Sequence, residues 1–324
     1  MKIFFLQFVA AAVVLLLAAA VQAQTYPSKP VRIVVPYPPG GPTDVVARGV
    51  AQRLADAWGH PVLVDNRAGA GSTMGAEVVA KANADGYTLL FSDLSTFVLN
   101  PFLYSRLSYD PFKDFAPITM VCRLSWVLAV ANDVPVKSLR ELLDYAKANP
   151  GKLTYASTGN GTSAHVAMED FKKRAGIDIL HVPYKGGAPA VADLLGGRVS
   201  MFMVNYSVFE PHEKAGRLKV LAAATARRFA VRPDLPTIAE AGVPGFAVNA
   251  WFGMAAPAAA PVAILEKVQR DVAKIVGNAD FQERFLRPQA FEAGGNSRAE
   301  FAAMLKTEAA QWKRLVASTG AKLD

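Results

Sequence analysis

Val31-Arg32-Ile33-Val34-Val35-Pro36-Tyr37-Pro38-Pro39-Gly40-Gly41-Pro42-Thr43-Asp44 is the stretch from which the rest of the chain is read. Its first five residues are apolar and β-branched apart from Arg32, and they predict a strand. The prolines that follow stiffen the backbone, while the glycines permit positive φ and close approach of a ligand. From Asp44 to Trp58 apolar residues stand at Val46, Val50, Leu54 and Ala57, near helical spacing. Asp44 is placed to cap that helix through its own side chain. A strand that ends in such a turn leaves the first amides of the next helix unpaired at the positive end of its dipole, which makes an anion cradle.

The same pattern returns in the second half. Lys152-Leu153-Thr154-Tyr155-Ala156 runs into Ser157-Thr158-Gly159-Asn160-Gly161-Thr162-Ser163-Ala164-His165, and a helix is predicted from Thr162 to Arg174. Gly159 to Ala164 also fits the G-x-G-x-x-G/A dinucleotide fingerprint. The acidic residue that fingerprint needs would be Asp178, which precedes a strand instead of ending one. The hydroxyls of Ser157, Thr158, Thr162 and Ser163 fit a hydrogen-bonding cup better. A third turn, Gly69-Ala70-Gly71-Ser72-Thr73-Met74-Gly75, lacks the Lys-Ser/Thr of a phosphate-binding loop and reads as tight helix–strand packing. His181-Val182-Pro183-Tyr184-Lys185 ends a further strand and offers a hydroxyl and a charge.

Strand-like and helix-like segments alternate for most of the length, so the fold class is α/β with parallel sheets covered by helices. Asn100 to Pro117, rich in proline and aromatics, reads as loop. After Trp251 the pattern changes to helical stretches at 261–276, 280–286 and 297–317. The length suits two domains of about 150 residues each.

The first 23 residues read as a secretory signal peptide: Lys2, an apolar run from Ile3 to Val21, and cleavage after Ala23. The expected product is exported to the periplasm. Its single cysteine, Cys122, makes no internal disulfide, so stability must come from the core. At 52% hydrophobic and 19% charged the chain is globular. The net charge of +8 fits attraction of anions as well as simple solubility. Its basic residues are scattered and form no arm for nucleic acid.

No G-x-S-x-G elbow is present, and His60, His165, His181 and His212 show no metal spacing. No enzyme activity, cofactor or metal is expected. A secreted hydrolase using Ser157 or Ser163 with His165 is the alternative from a different class.

Taken in order, several motifs resemble the Bug-type periplasmic solute-binding proteins of tripartite tricarboxylate transporters. They are Pro38 to Asp44, Asp65-Asn66-Arg67-Ala68-Gly69-Ala70-Gly71, Asp85-Gly86-Tyr87-Thr88-Leu89-Leu90, Asn100-Pro101, Tyr155 to Thr162, His181 to Gly186, Pro236-Thr237-Ile238-Ala239-Glu240-Ala241-Gly242 and Trp251-Phe252-Gly253. The resemblance implies a two-lobed type II Venus flytrap with a ligand cleft between the lobes. Lobe one would comprise 26–127 plus 249–324, and lobe two 128–248. It implies capture of a small organic carboxylate and delivery to a membrane permease by a monomeric receptor. A sensor that presents its ligand to a membrane kinase uses the same surface and stays open.

The ligand-binding positions implied are Tyr37, Pro39, Gly40, Gly41, Thr43 and Asp44 in the first turn, with Ser92 and Phe97 nearby. From the other lobe come Ser157, Thr158, Gly161, Thr162, His165, Tyr184, Lys185, Val204 and Asn205. Family members often carry an Asp where Val204 stands here, and in amino-acid binders it pairs with the ligand's ammonium. Its absence points to a ligand without a positive group. Tyr37, Phe97, Trp126, Trp251, Tyr206 and Phe209 would favour an aromatic carboxylate if several reached the cleft, and a dicarboxylate is the other class expected.

Overall fold

The computed structural model describes residues 26–319. The expected signal peptide and its cleavage site lie outside the described residues.

Eleven strands form two sheets among the described residues. The first runs β11-β4-β10-β3-β1-β2 and contains β1 (Val31–Val35), β2 (Val62–Asn66), β3 (Thr88–Asp93), β4 (Phe115–Leu124), β10 (Ala250–Pro257) and β11 (Glu292–Ala293). Here β1, β2 and β3 are parallel, and β10 lies antiparallel between β3 and β4. The second runs β7-β6-β8-β5-β9, with β5 (Trp126–Ala131), β6 (Thr154–Ser157), β7 (Leu180–Pro183), β8 (Met201–Asn205) and β9 (Leu218–Ala223). Again three strands, β6, β7 and β8, are parallel, and β5 is antiparallel to β8 and β9. The protein is a two-lobed α/β fold, one lobe about each sheet.

The chain leaves the first sheet at Leu124 and enters the second at Trp126, with buried Ser125 as the link. Backbone bonds tie this crossing to the second lobe: Tyr206 N–H donates to Ser125 O at 2.8 Å and Ala224 N–H to Trp126 O at 2.8 Å. The return passes through Val248 into β10. One helix follows each parallel strand. Pro42–Trp58 buries Val46, Ala47, Val50, Ala51 and Leu54 against the first sheet. Ser163–Ala175 buries Ala164, Ala167, Met168 and Phe171 on the second, capped by Thr162.

Two expectations need correction. The loop read from Asn100 to Pro117 is shorter at both ends, because Asn100–Leu103 forms a helical turn and β4, the longest strand, starts at Phe115. Pro117 cannot donate to a ladder; it is accommodated opposite Ala255, where the register with β10 shifts. Asp44 does not cap the helix at its first residue. The N-cap is Gly41, without a side-chain bond, and Asp44 reaches back to Gly40 N–H.

Helix Arg298–Thr319 closes the first lobe, where Phe301, Leu305, Trp312 and Val316 pack with Trp251 and Phe97. Val166 of the second-lobe helix Ser163–Ala175 joins this same cluster. The two lobes therefore share an apolar contact beside the cleft.

Candidate functional site

In open α/β sheets ligands bind at the carboxyl ends of parallel strands. Both lobes obey this rule toward one cavity of about 390 Å³. The first lobe supplies Tyr37 after β1, Asp93 at the end of β3, then Ser95, Asn100, Tyr104 and Gly71. The second supplies Thr158 to Ser163 after β6, and Tyr184 and Lys185 after β7.

The second turn is built by its own hydrogen bonds. Ser157 is fully buried, and its hydroxyl lies 2.7 Å from His181 Nε2 and 3.0 Å from Gly159 O. Gly159 O also accepts from Thr162 Oγ1 at 2.8 Å and Thr162 N–H at 3.3 Å. Gly161 N–H donates to His165 Nδ1 at 3.0 Å, so that nitrogen carries no proton. Ser163 and Ala164 open the helix, and their amides have no carbonyl four residues back within it.

Behind the turn three rings stack. His165 and His181 lie 4.0 Å apart at 10°, and Tyr155 lies 4.8 Å from His181 on its other face. The Tyr155 hydroxyl donates to Glu169. Burial lowers His165, with Glu169 opposing. Burial first, then His165 and Lys172, push His181 down to about 4. Both imidazoles are thus neutral at pH 7, which His165 requires to accept from Gly161. Depressed folded values mean that the neutral pair contributes fully above pH 6.5 and loses its contribution as pH falls through about 4. Affinity is expected to fall at acid pH, once His165, held below its ordinary value by burial, takes up a proton and Gly161 loses its acceptor. Calorimetry of the same ligand at pH 7 and pH 4 checks this, and equal affinities would refute it.

The first turn contributes differently from expectation. Tyr37 enters the cavity and donates to Asp93 Oδ1 at 2.7 Å. Pro39, Gly40 and Gly41 stand outside the lining, and Thr43 and Asp44 are buried beneath them. Burial opposes ionisation of Asp44, but Arg48, Gly40 N–H and Asn66 hold its carboxyl below the usual range. Those three bonds, each 2.9 Å, fasten the turn to β2. Asp44 is a fastener for the loop that carries Tyr37.

Other candidates fall in the core. Phe97 is enclosed by Phe115, Trp251 and Phe301, and Ser92 is fully buried against Thr96. Trp126 and Trp251 are core residues, as are Tyr206 and Phe209. Val204 packs partly buried against the second-lobe core. Asn205 donates to Gln289 O at 3.0 Å and lies at the interlobe crossing. His165 supports the turn from behind. Tyr184 borders the cavity while its hydroxyl is spent on Asp193 at 2.8 Å.

The loop at Ala70, Gly71 and Ser72 has consecutive φ values of 45°, 62° and 78°. Strained left-handed residues of this kind gather at ligand clamps. The packing role read for this turn fits Gly75, whose added Cβ would meet Pro36 Cβ at 2.7 Å. Gly71 instead borders the cavity. Asp93, Ser95, Asn100 and Tyr104 were not among the candidates; the strand-end rule applied to β3 would have found Asp93.

A family model described as tripartite tricarboxylate transporter family receptor matches residues 46–321. The chain belongs to this receptor family. BugT of Bordetella pertussis is 37% identical over 95% of this chain and 94% of its own. A solved structure of R. palustris Rpa4515 with adipate has a TM-score of 0.84 at 36% identity, covering 92% of this chain and 100% of that one. MatC from Rhodopseudomonas palustris with bound malate has a TM-score of 0.79 at 31% identity, covering 90% and 100%. The Bug-type resemblance read from the motifs is therefore correct. Family members are periplasmic binding proteins, and no described helix is long and apolar enough to cross a membrane.

Proposed function

We propose that this receptor captures a small organic carboxylate between its lobes and delivers it to the permease of a tripartite tricarboxylate transporter. The observation that carries the reading is one cavity faced by the Thr158–Ser163 turn, with its helix N-terminus, and by Tyr37 and Asn100 across it. The carboxylate sits on the second-lobe side, where Thr158 and the opening amides of Ser163–Ala175 donate to it. The structures of Rpa4515 with adipate and MatC with bound malate support an organic acid as the ligand class. The protein is exported, cleaved after Ala23, and works as a monomer. Lobe one comprises 26–127 plus 249–324 and lobe two 128–248, and the lobes close because the ligand binds the closed form better.

A dicarboxylate or an aromatic carboxylate heads the panel for a thermal-shift screen, since a saturating ligand raises the melting temperature by mass action. Thr158→Ala is expected to weaken binding roughly tenfold, for loss of one charge-assisted hydrogen bond of about 1.5 kcal/mol. A panel in which no carboxylate raises the melting temperature would overturn the receptor reading. Unchanged affinity in Thr158→Ala would remove that residue from the site.

A further inference from the structure

The cavity is electrically uneven. On the second-lobe side stand Lys185 and the positive end of a helix. The first-lobe wall carries the carboxyl group of Asp93, which burial pushes above the usual carboxylate range while hydrogen bonds from Tyr37, Thr96 and Ser95 draw it back. Tyr37 OH at 2.7 Å, Ser95 N–H at 3.0 Å and Thr96 N–H at 3.5 Å all donate to its Oδ1. Those bonds, with a further one from the Ser95 side chain, fix the carboxyl in the wall. No ion pair with a cationic side chain is formed by Asp93 among the described residues. The remaining donors of the wall are also committed. Asn100 Nδ2 donates to Gly71 O at 3.0 Å and to Tyr109 OH at 3.2 Å, and Tyr104 OH donates to Ala70 O at 3.2 Å.

A ligand with a carboxylate at each end would set its second charge against Asp93, where like charges in a poorly solvated site repel. A group with protons to donate meets an acceptor there instead. Val204 of the second lobe offers no charge, so the acid that lines this cavity comes from the first lobe. We propose that Asp93 determines specificity, selecting carboxylates whose far end bears an ammonium group. This rests on the receptor reading above, and within it replaces the dicarboxylate, the aromatic carboxylate and the ligand without a positive group expected from Val204 by an amino-acid class.

The test is a calorimetric comparison of 4-aminobutanoate to 6-aminohexanoate with dicarboxylates of equal chain length, on the wild-type protein and on Asp93→Asn. The asparagine keeps an oxygen to accept from Ser95 and Thr96, so the turn retains its bonds while the charge is lost. The expected result is that wild type prefers the amino acids at least tenfold, and that Asp93→Asn narrows or reverses the preference. A wild-type preference for dicarboxylates, or a preference that Asp93→Asn leaves intact, overturns the inference. The wild-type comparison decides alone should the variant fail to fold. Binding of a carboxylate that carries no ammonium as tightly as the amino acids would also defeat the role of Asp93, yet leave the receptor reading standing. Failure of every carboxylate would instead defeat the receptor reading itself.

Discussion

Gly159→Ala is expected to lower affinity for whichever carboxylate the panel identifies by roughly ten- to a hundredfold, with the fold retained. Space is not the obstacle, because an added Cβ would meet Thr162 Cγ2 and Tyr184 O at 3.5 Å, ordinary contact distance. Conformation is the obstacle: φ at Gly159 is +141°, where L side chains are strained. Holding alanine there costs about 1–3 kcal/mol. Relaxing that strain rotates the Gly159 carbonyl, which accepts from Ser157 Oγ, Thr162 Oγ1 and Thr162 N–H. Those bonds fix the turn between β6 and its helix, so the loss falls on the cradle. At 1.4 kcal/mol per factor of ten, strain of this size removes one to two decades of affinity. Titration calorimetry alongside a melting curve makes the measurement, and an affinity within twofold of wild type would show the turn to be uninvolved.

How much of this site was legible depends on where its information lies. Thr158, Gly161, Thr162, Tyr184 and Lys185 were readable because a local pattern, strand then glycine turn then helix, specifies both backbone and chemistry. Tyr37 was readable for the same reason. The glycines beside it misled, because the pattern says that a turn is present and not which atoms face the cleft. Asp93 carries no local signal: an aspartate two residues before Ser95 looks like an ordinary turn former, and it does bond Ser95 N–H. Only the pairing of β3 with β1 brings it beside Tyr37. The aromatics failed from the opposite side. Phe97, Trp126 and Trp251 differ from Tyr104 in sequence by little, and burial among partners distant in the chain decides which enter the core. The fold was clearer than the site, since the alternation of strands and helices is written locally throughout. Phe115–Leu124 escaped because Pro117 reads as a strand breaker, and its tolerance depends on a register shift against a strand far along the chain.

Trp251→Ala should destabilise the protein by about 3–5 kcal/mol, and by more at pH 8 than at pH 5. Trp251 is fully buried, 5.7 Å from the Phe97 ring and 5.3 Å from that of Phe301. Truncation leaves a cavity where the terminal helix meets β10. The pH dependence comes from Glu308, 4% exposed, which accepts from Trp251 Nε1 at 2.8 Å. Burial pushes its carboxyl up to about 7, against the opposing effects of the Trp251 N–H and of Arg123. A raised folded value contributes stability that is complete below the ordinary value of 4.5 and is lost as pH climbs through 7. Across that interval the loss is about 2–3 kcal/mol. Removing the indole N–H leaves the ionised form without its donor, which adds about 1–3 kcal/mol above pH 7. Glu308→Gln should therefore exceed wild type in stability at pH 8 by about 2–3 kcal/mol and lose that advantage near pH 4.5. Denaturant unfolding of wild type, Trp251→Ala and Glu308→Gln at both ends of the range supplies the comparison. Taking the difference between wild type and Glu308→Gln cancels the opposite pH trend of the His165 and His181 pair. Parallel curves for those two proteins would mean that Glu308 does not titrate in this interval. Because Phe301 and Val166 meet in the cluster that holds Trp251, a softened first-lobe core should also loosen the contact between the lobes.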